Sequence, residues 1–150
     1  MEISDTVEIN AAPERVFDWL SQLDQHYRQW HPDHRDCYWL EGDHMEEGSV
    51  LYAEEILHNK LHKLRYRITR VEPGRSVEFK LLGSIGLLVP RGIFSITPTA
   101  SGCRFTATLY SPAGWLLQRL MPRQVSALVK HQQEEGESLQ RILGAGQTQN

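Results

Sequence analysis

The apolar positions along the chain change period twice. Val7-Glu8-Ile9 alternates and reads as the end of a first strand. Asn10-Ala11-Ala12-Pro13-Glu14 then opens a helix whose apolar face is Val16, Phe17, Leu20 and Leu23. Pro13 fits the first turn, where its missing N–H has no partner to lose. A short helical turn from Tyr27 to Trp30 stops at His31, just ahead of Pro32. The period then falls to two. Strands are predicted at Cys37 to Leu40, Ser49 to Leu57, Leu61 to Val71, Val77 to Leu82, Gly92 to Thr97 and Cys103 to Tyr110. Glu41-Gly42-Asp43, Glu72-Pro73-Gly74-Arg75 and Thr99-Ala100-Ser101-Gly102 punctuate them as turns. Gly83 to Arg91 follows neither period, and a loop over a cavity is one reading of it. Helical spacing returns at Ala113 to Leu120 and again, for longer, from Pro122 to Leu143. Gln147 to Asn150 is expected to fray.

A run of sequential hairpins leaves one apolar sheet face to be covered. The last helix is the element long enough to cover it. The expected fold class is therefore α+β: a curved antiparallel sheet wrapped around a long C-terminal helix, with a cavity between them. The 150 residues suggest one domain over 1–146, large enough to bury roughly 70% of its unfolded surface without disulfides. The net charge is −3 with no basic run, so no nucleic-acid partner is expected. No signal peptide opens the chain, and the longest apolar stretch, Ile85 to Val89, is too short to span a bilayer. A cytoplasmic protein without a membrane partner follows as the expectation. Cys37 and Cys103 have no CxxC spacing and read as buried thiols in a reducing compartment.

The chemistry concentrates on His131-Gln132-Gln133-Glu134-Glu135. His131 and Glu135 are four apart and share a helix face with Leu128, Leu139 and Ile142, the stripe that should pack inward. A polar pair inside an apolar stripe is costly unless something binds it. Taken alone, the pair reads more plainly as a solvated one, with Glu134 facing Lys130. Glu55 changes that balance. If Asn59-Lys60 is a two-residue hairpin turn, Glu55 lies opposite Leu64 and Glu54 opposite Arg65. One face then holds Leu51, Ala53, Glu55, Leu57, His62, Leu64, Tyr66 and Ile68, and the charged face holds Glu54, Lys63, Arg65 and Arg67. Glu55 points inward with His62 nearby, provided the register does not slip by one residue. Two carboxylates converging in a low-dielectric cavity repel, and a dication removes the conflict. His26, His44 and His58 are expected to be solvated in turns, and Gly136 points either to a close neighbour or to simple tolerance.

The element order, with Val7-Glu8-Ile9-Asn10-Ala11-Ala12-Pro13-Glu14-Arg15-Val16-Phe17 and Arg67-Ile68-Thr69-Arg70-Val71-Glu72-Pro73, resembles the START-like helix-grip superfamily, which includes polyketide cyclases. Trp30-His31-Pro32-Asp33-His34, Glu55 to His62, and His131 with Glu135 more narrowly resemble the diacetylphloroglucinol and phloretin hydrolases. Those enzymes hold zinc with two His and two Glu and hydrolyse a carbon–carbon bond between an acyl group and a phenolic ring. This chain is much shorter than they are. The resemblance implies Glu55, His131 and Glu135 as ligands, with His31 or His34 as the fourth. Zinc suits a mixed nitrogen and oxygen set, and Mn, Fe or Ni remain open. Asp33, His62 or Tyr66 would then orient a ligand or donate a proton. The leading expectation is a metal-dependent hydrolase of a small aromatic or polyketide-like ketone. The alternatives are a metal-free binding protein for a hydrophobic ligand, or a cyclase or dehydratase using His and carboxylate groups. A homodimer is left open.

Overall fold

The computed structural model describes residues 1–145. The expected tail at Gln147 to Asn150 lies outside them. β1 (Glu2–Ile9) leads into α1 (Pro13–Ser21) and α2 (Leu23–Trp30). Then come β2 (His34–Glu41), β3 (Val50–Leu57), β4 (Lys60–Glu72), β5 (Ser76–Leu81), β6 (Arg91–Thr99) and β7 (Gly102–Tyr110). The chain closes with α3 (Gly114–Leu120) and α4 (Pro122–Ala145). The strands form one antiparallel sheet in the order β1-β7-β6-β5-β4-β3-β2. α4 lies against β1, β3 and β7, so the sheet grips the helix as expected. Val16, Leu20, Ile9, Phe105, Leu139 and Leu143 are buried between these layers. Cys103 is buried in the same core, Cys37 is half-buried, and both are free thiols.

Two boundaries that bear on the site differ from the sequence expectation. α2 starts at Leu23 and forms two full turns, because Leu23, Tyr27 and Trp30 give it a buried face. His26 is therefore helical and stacks on the Trp19 ring at 5.0 Å, rather than lying solvated in a turn. β2 starts at His34, three residues before Cys37, although His34-Arg35-Asp36 is too polar to read as strand. Residues 82–90 form a loop containing a single 3-10 turn, Ser84–Leu87, and Arg91 opens β6.

The β3–β4 hairpin is the instructive case. Its turn residues are His58 and Asn59, both with positive φ, 52° and 61°. That is the type I′ geometry matching the strand twist, and Asn accepts it readily. The pairing is Leu57 with Lys60, Glu55 with His62 and Ala53 with Leu64. The expected pairing of Glu55 with Leu64 is therefore wrong by two residues. Glu54 meets Lys63 across the strands, not Arg65, and accepts a hydrogen bond from the Tyr52 hydroxyl. A shift of two keeps every side chain on its predicted face. Leu51, Ala53, Glu55, Leu57, His62, Leu64, Tyr66 and Ile68 all line the cavity.

Gly136 has a packing reason. A Cβ there would stand 2.6 Å from Asp5 Oδ2 and 3.1 Å from Val7 Cγ1 of β1. The missing side chain lets α4 lie close against the sheet edge, despite the roughly 1 kcal/mol a mid-helix glycine costs relative to alanine. Gly136→Leu is expected to lower stability by about 2 kcal/mol, read from urea unfolding, because neither β1 nor α4 can retreat freely.

Candidate metal centre in a ligand cavity

The β2–β3–β4 register sets His34, Glu55 and His62 in one row across three strands. α4 brings His131 and Glu135 to the same place, one helical turn apart on its inward face. His34 Nε2 lies 2.9 Å from Glu135 Oε2, 3.7 Å from Glu55 Oε2 and 3.2 Å from His131 Nε2. His131 Nε2 lies 3.3 Å from Glu55 Oε2 and 3.5 Å from Glu135 Oε2. Four donor atoms from three separate elements thus converge on one point. The side chain of His34 is 0% exposed and that of Glu135, the most open of the four, 20%.

The protons do not fit this arrangement well. His34 Nδ1 donates to the Tyr27 carbonyl at 2.7 Å, so a neutral His34 ring turns the lone pair of Nε2 into the cluster. That lone pair then faces a carboxylate oxygen at 2.9 Å. If His34 Nε2 is protonated instead, a neutral His131 with its lone pair on Nε2 faces two carboxylates. If both rings carry a proton there, the N–H groups meet across 3.2 Å. With both carboxylates ionised, each arrangement leaves at least one pair of like partners. Among the described residues, His131 Nδ1 has no hydrogen-bond partner, so its ring is oriented through its Nε2 side. Burial opposes the charged form of His131, but hydrogen bonds to Glu135 and Glu55 outweigh it and raise the pKa to about 10. Burial likewise opposes the Glu135 carboxylate, and the His131 and His34 contacts overcome it and lower the pKa to about 2.

These donor atoms suit a divalent cation. A tetrahedral site with metal–ligand bonds near 2.0–2.1 Å has donor–donor edges of about 3.3 Å. The five separations given above, 2.9 to 3.7 Å, scatter around that value. A cation at the centre would turn each facing lone pair from a cost into a bond.

Of the two candidate histidines, His34 joins this set and His31 stands beside it. His31 Nδ1 accepts from the Asp33 backbone N–H at 2.9 Å, which leaves its proton on Nε2, 3.3 Å from Glu134 Oε1. Glu134 thus meets His31, and no ion pair with Lys130 forms among the described residues. The His31 ring packs on that of His131 with centroids 4.2 Å apart. Asp33, expected to orient or donate within the site, is half-exposed: its backbone N–H donates to His31 Nδ1, and its carboxylate lies 3.9 Å from the same nitrogen, in a second, more open group with His31 and His131. His62 and Tyr66 line the cavity as expected, outside the four-residue set. Burial first, then the charges of Glu55 and Glu135, push the Tyr66 hydroxyl well above its usual pKa, so it stays protonated in neutral solution and can donate a hydrogen bond.

Tyr27 escaped the sequence reading. Its ring stacks on His34 at 3.8 Å, its carbonyl fixes His34, and its hydroxyl donates to Glu55 Oε2 at 3.2 Å. The available signal was its place four after Leu23 and three before Trp30, on the buried face of α2. Trp30, buried on the same face of α2, donates through Nε1 to the Glu135 carbonyl at 3.0 Å, tying α2 to the turn of α4 that carries the cluster.

Glu55, His131 and Glu135 open onto a cavity of about 170 Å³. Its walls are largely apolar, with Leu64, Ile68, Val77, Phe79, Phe94 and Leu128 among them. Tyr27, Tyr66, Thr108 and Gln132 interrupt this lining with polar atoms. The Gln132 amide is already committed to the Ala107 and Ile3 carbonyls, at 2.9 and 3.2 Å.

A family model described as polyketide cyclase / dehydrase and lipid transport matches residues 1–135. No curated protein matches the chain. Several solved structures are similar. Protein Ms6760 from Mycobacterium smegmatis is 16% identical, over 97% of this chain and 92% of its own, with a TM-score of 0.73. The di-domain ARO/CYC StfQ from the steffimycin biosynthetic pathway is 15% identical, over 99% of this chain and 52% of its own, with a TM-score of 0.69. Ara h 8.0201 is 10% identical, over 95% of this chain and 97% of its own, with a TM-score of 0.70. At such identities the likeness is one of fold.

Proposed function

Because the chain belongs to the polyketide cyclase / dehydrase and lipid transport family, we propose that it binds a small, largely apolar carbonyl compound in its cavity and transforms it there by metal-assisted acid–base chemistry. The observation that carries this reading is the convergence of His34, Glu55, His131 and Glu135 with facing lone pairs at the cavity wall. Those four residues would hold the ion, zinc by preference from the donor set. When bound, such an ion supplies Lewis acidity to an oxygen of the ligand.

The chain's own groups do the rest. Apolar walls take up the ligand body and exclude water. The Tyr66 hydroxyl, on the same face as Glu55, donates a hydrogen bond to a ligand oxygen. His62, opposite Glu55 across the hairpin, would accept or return a proton at the neighbouring carbon. The cavity, at about 170 Å³, is below the roughly 300–1,000 Å³ usual for drug-sized ligands, which favours a compound on the order of one ring. Ring closure or dehydration is the reaction class favoured. Acyl–phenol hydrolysis, expected from the narrower resemblance, draws no support from the family match. The family match supports a cyclase or ligand-binding role. The predominantly apolar lining favours plain ligand binding as the second reading.

Zinc-loaded protein incubated with one-ring ortho-hydroxyaryl β-diketones, whose phenol oxygen can attack the distal carbonyl and close a second ring with loss of one water, tests the proposal. Product formation that falls at least about a hundredfold in Glu135→Ala supports it, that being the scale of losing a group that acts in the transition state. Saturable binding without turnover, unchanged by zinc, supports the second reading instead. Tyr27→Phe keeps the ring stacked on His34 and removes the hydrogen bond to Glu55. It is expected to weaken zinc about tenfold by competition titration, the usual cost of losing a group that orients a metal ligand.

A further inference from the structure

From Phe79 to Gln133 the chain contains no Asp or Glu, yet it carries Lys80, Arg91, Arg104, Arg119, Arg123 and Lys130. The remaining residues hold all 19 acidic groups against 10 basic ones, so the two kinds of charge are segregated. Arg104 is paired with Glu8. Lys80, Arg91, Arg119 and Arg123 have no carboxylate within 4.0 Å among the described residues. Lys80 and Arg91 are cross-strand partners, and Arg91 lies over the Tyr110 ring at 4.2 Å. Arg119 and Arg123 flank the junction of α3 and α4. Glu2 and Glu78 are the acidic groups that the sheet register brings to this end.

The same region exposes large apolar side chains. Leu87 is 78% exposed, Trp115 70% and Leu120 68%, with Leu88, Leu116 and Met121 beside them in sequence. The two segments touch: the Ser111 hydroxyl, just before α3, donates to the Leu88 carbonyl at 2.5 Å. The segment that points Leu87 and Leu88 outward also turns Ile85 and Val89 into the cavity wall. An isolated exposed leucine needs no explanation, but an exposed tryptophan and several leucines do when Lys80 and Arg91 lie beside Gly86 and Arg119 and Arg123 lie in α3 and at the start of α4.

We propose that this face, formed by the Ser84–Leu87 turn, α3 and the start of α4, docks the protein on an anionic lipid bilayer. Tryptophan and leucine suit the headgroup–acyl boundary, and arginines reach from it to the lipid phosphates. A second copy of the chain meeting this face symmetrically would oppose arginine to arginine, which the charge argues against. The sequence reading expected no membrane partner, because no apolar stretch is long enough to span a bilayer, and this proposal departs from it. No helix among the described residues is long and apolar enough to cross a membrane, and a peripheral face needs none. The position beside the cavity wall suits a protein whose ligand partitions into lipid.

Co-sedimentation with phosphatidylcholine vesicles, with and without about 30% phosphatidylglycerol, tests this. Binding is expected only with the anionic lipid and should weaken at least tenfold in half-molar salt. Arg119→Gln and Arg123→Gln should each cost about fivefold. Trp115→Ser with Leu120→Ser should abolish binding while leaving zinc uptake and circular dichroism unchanged. The arginine variants keep the test decisive if that pair fails to fold. Absence of binding at low salt, or binding unaffected by the substitutions, overturns the proposal. So does a dimer in solution that these substitutions dissociate.

Discussion

Zinc at a thousandfold excess over its dissociation constant raises the unfolding midpoint of the metal-stripped protein by about 10 °C. The magnitude follows from linkage. A ligand that binds only the folded state at that excess contributes about 4 kcal/mol, and a chain of this size gains roughly 2–4 °C per kcal/mol. The folded state alone has the site, because His34 and Glu55 sit on adjacent strands and His131 and Glu135 arrive on a helix remote in sequence. His34→Ala and Glu135→Ala are each expected to remove most of the shift, since each deletes one of four donors. His31→Ala should retain most of it. Its ring packs on His131, but its nitrogens are engaged with the Asp33 N–H and Glu134. Differential scanning fluorimetry with and without zinc reads all four proteins. Equal shifts in wild type and Glu135→Ala would place the bound metal elsewhere.

Zinc affinity is expected to fall about a hundredfold between pH 8 and pH 6. The metal requires the neutral imidazole, so it competes with the proton on His131, whose pKa stands at about 10 without metal. Below that value each unit of acidification costs about tenfold for one displaced proton. The metal-free protein behaves differently. His131 is raised, so its contribution to stability is complete below about 6.5 and is lost as pH rises through about 10. Glu135 is lowered, so its contribution is present above about 4.5 and is lost as pH falls through about 2. Both describe one contact, which therefore stays intact at neutral pH. Calorimetry in two buffers of different ionisation enthalpy should detect about one proton released per zinc at pH 7.5. No release would mean that His131 is not a ligand.

The parts of this site that could be read from sequence are those fixed by short-range periodicity. His131 and Glu135 share a face because an α-helix sets i and i+4 together, and Leu128 and Leu139 show which way that face turns. Glu55 was placed inward by strand alternation. That inference survived a misplaced turn because the error was two residues and alternation repeats every two. Long-range docking was not legible. Whether His31 or His34 enters the cluster depends on where α2 stops and how the chain turns at Pro32 and Asp33. His34 pairs with Glu55 as the first residue of β2, within a run too polar to look like strand. Tyr27 reaches Glu55 only because α2 packs against β2, and no local pattern encodes that contact. The exposed leucines beside α3 were equally hidden. Their helical spacing suggests an amphipathic element but does not say that one face would remain uncovered.

The most direct test of the central claim is the metal content of the untagged protein, dialysed after exposure to zinc and measured by elemental analysis. The account predicts about one zinc per chain in the wild type and in His31→Ala, and none retained in His34→Ala, His131→Ala or Glu135→Ala. Absence of zinc from the wild type, or one equivalent retained by Glu135→Ala, would contradict it.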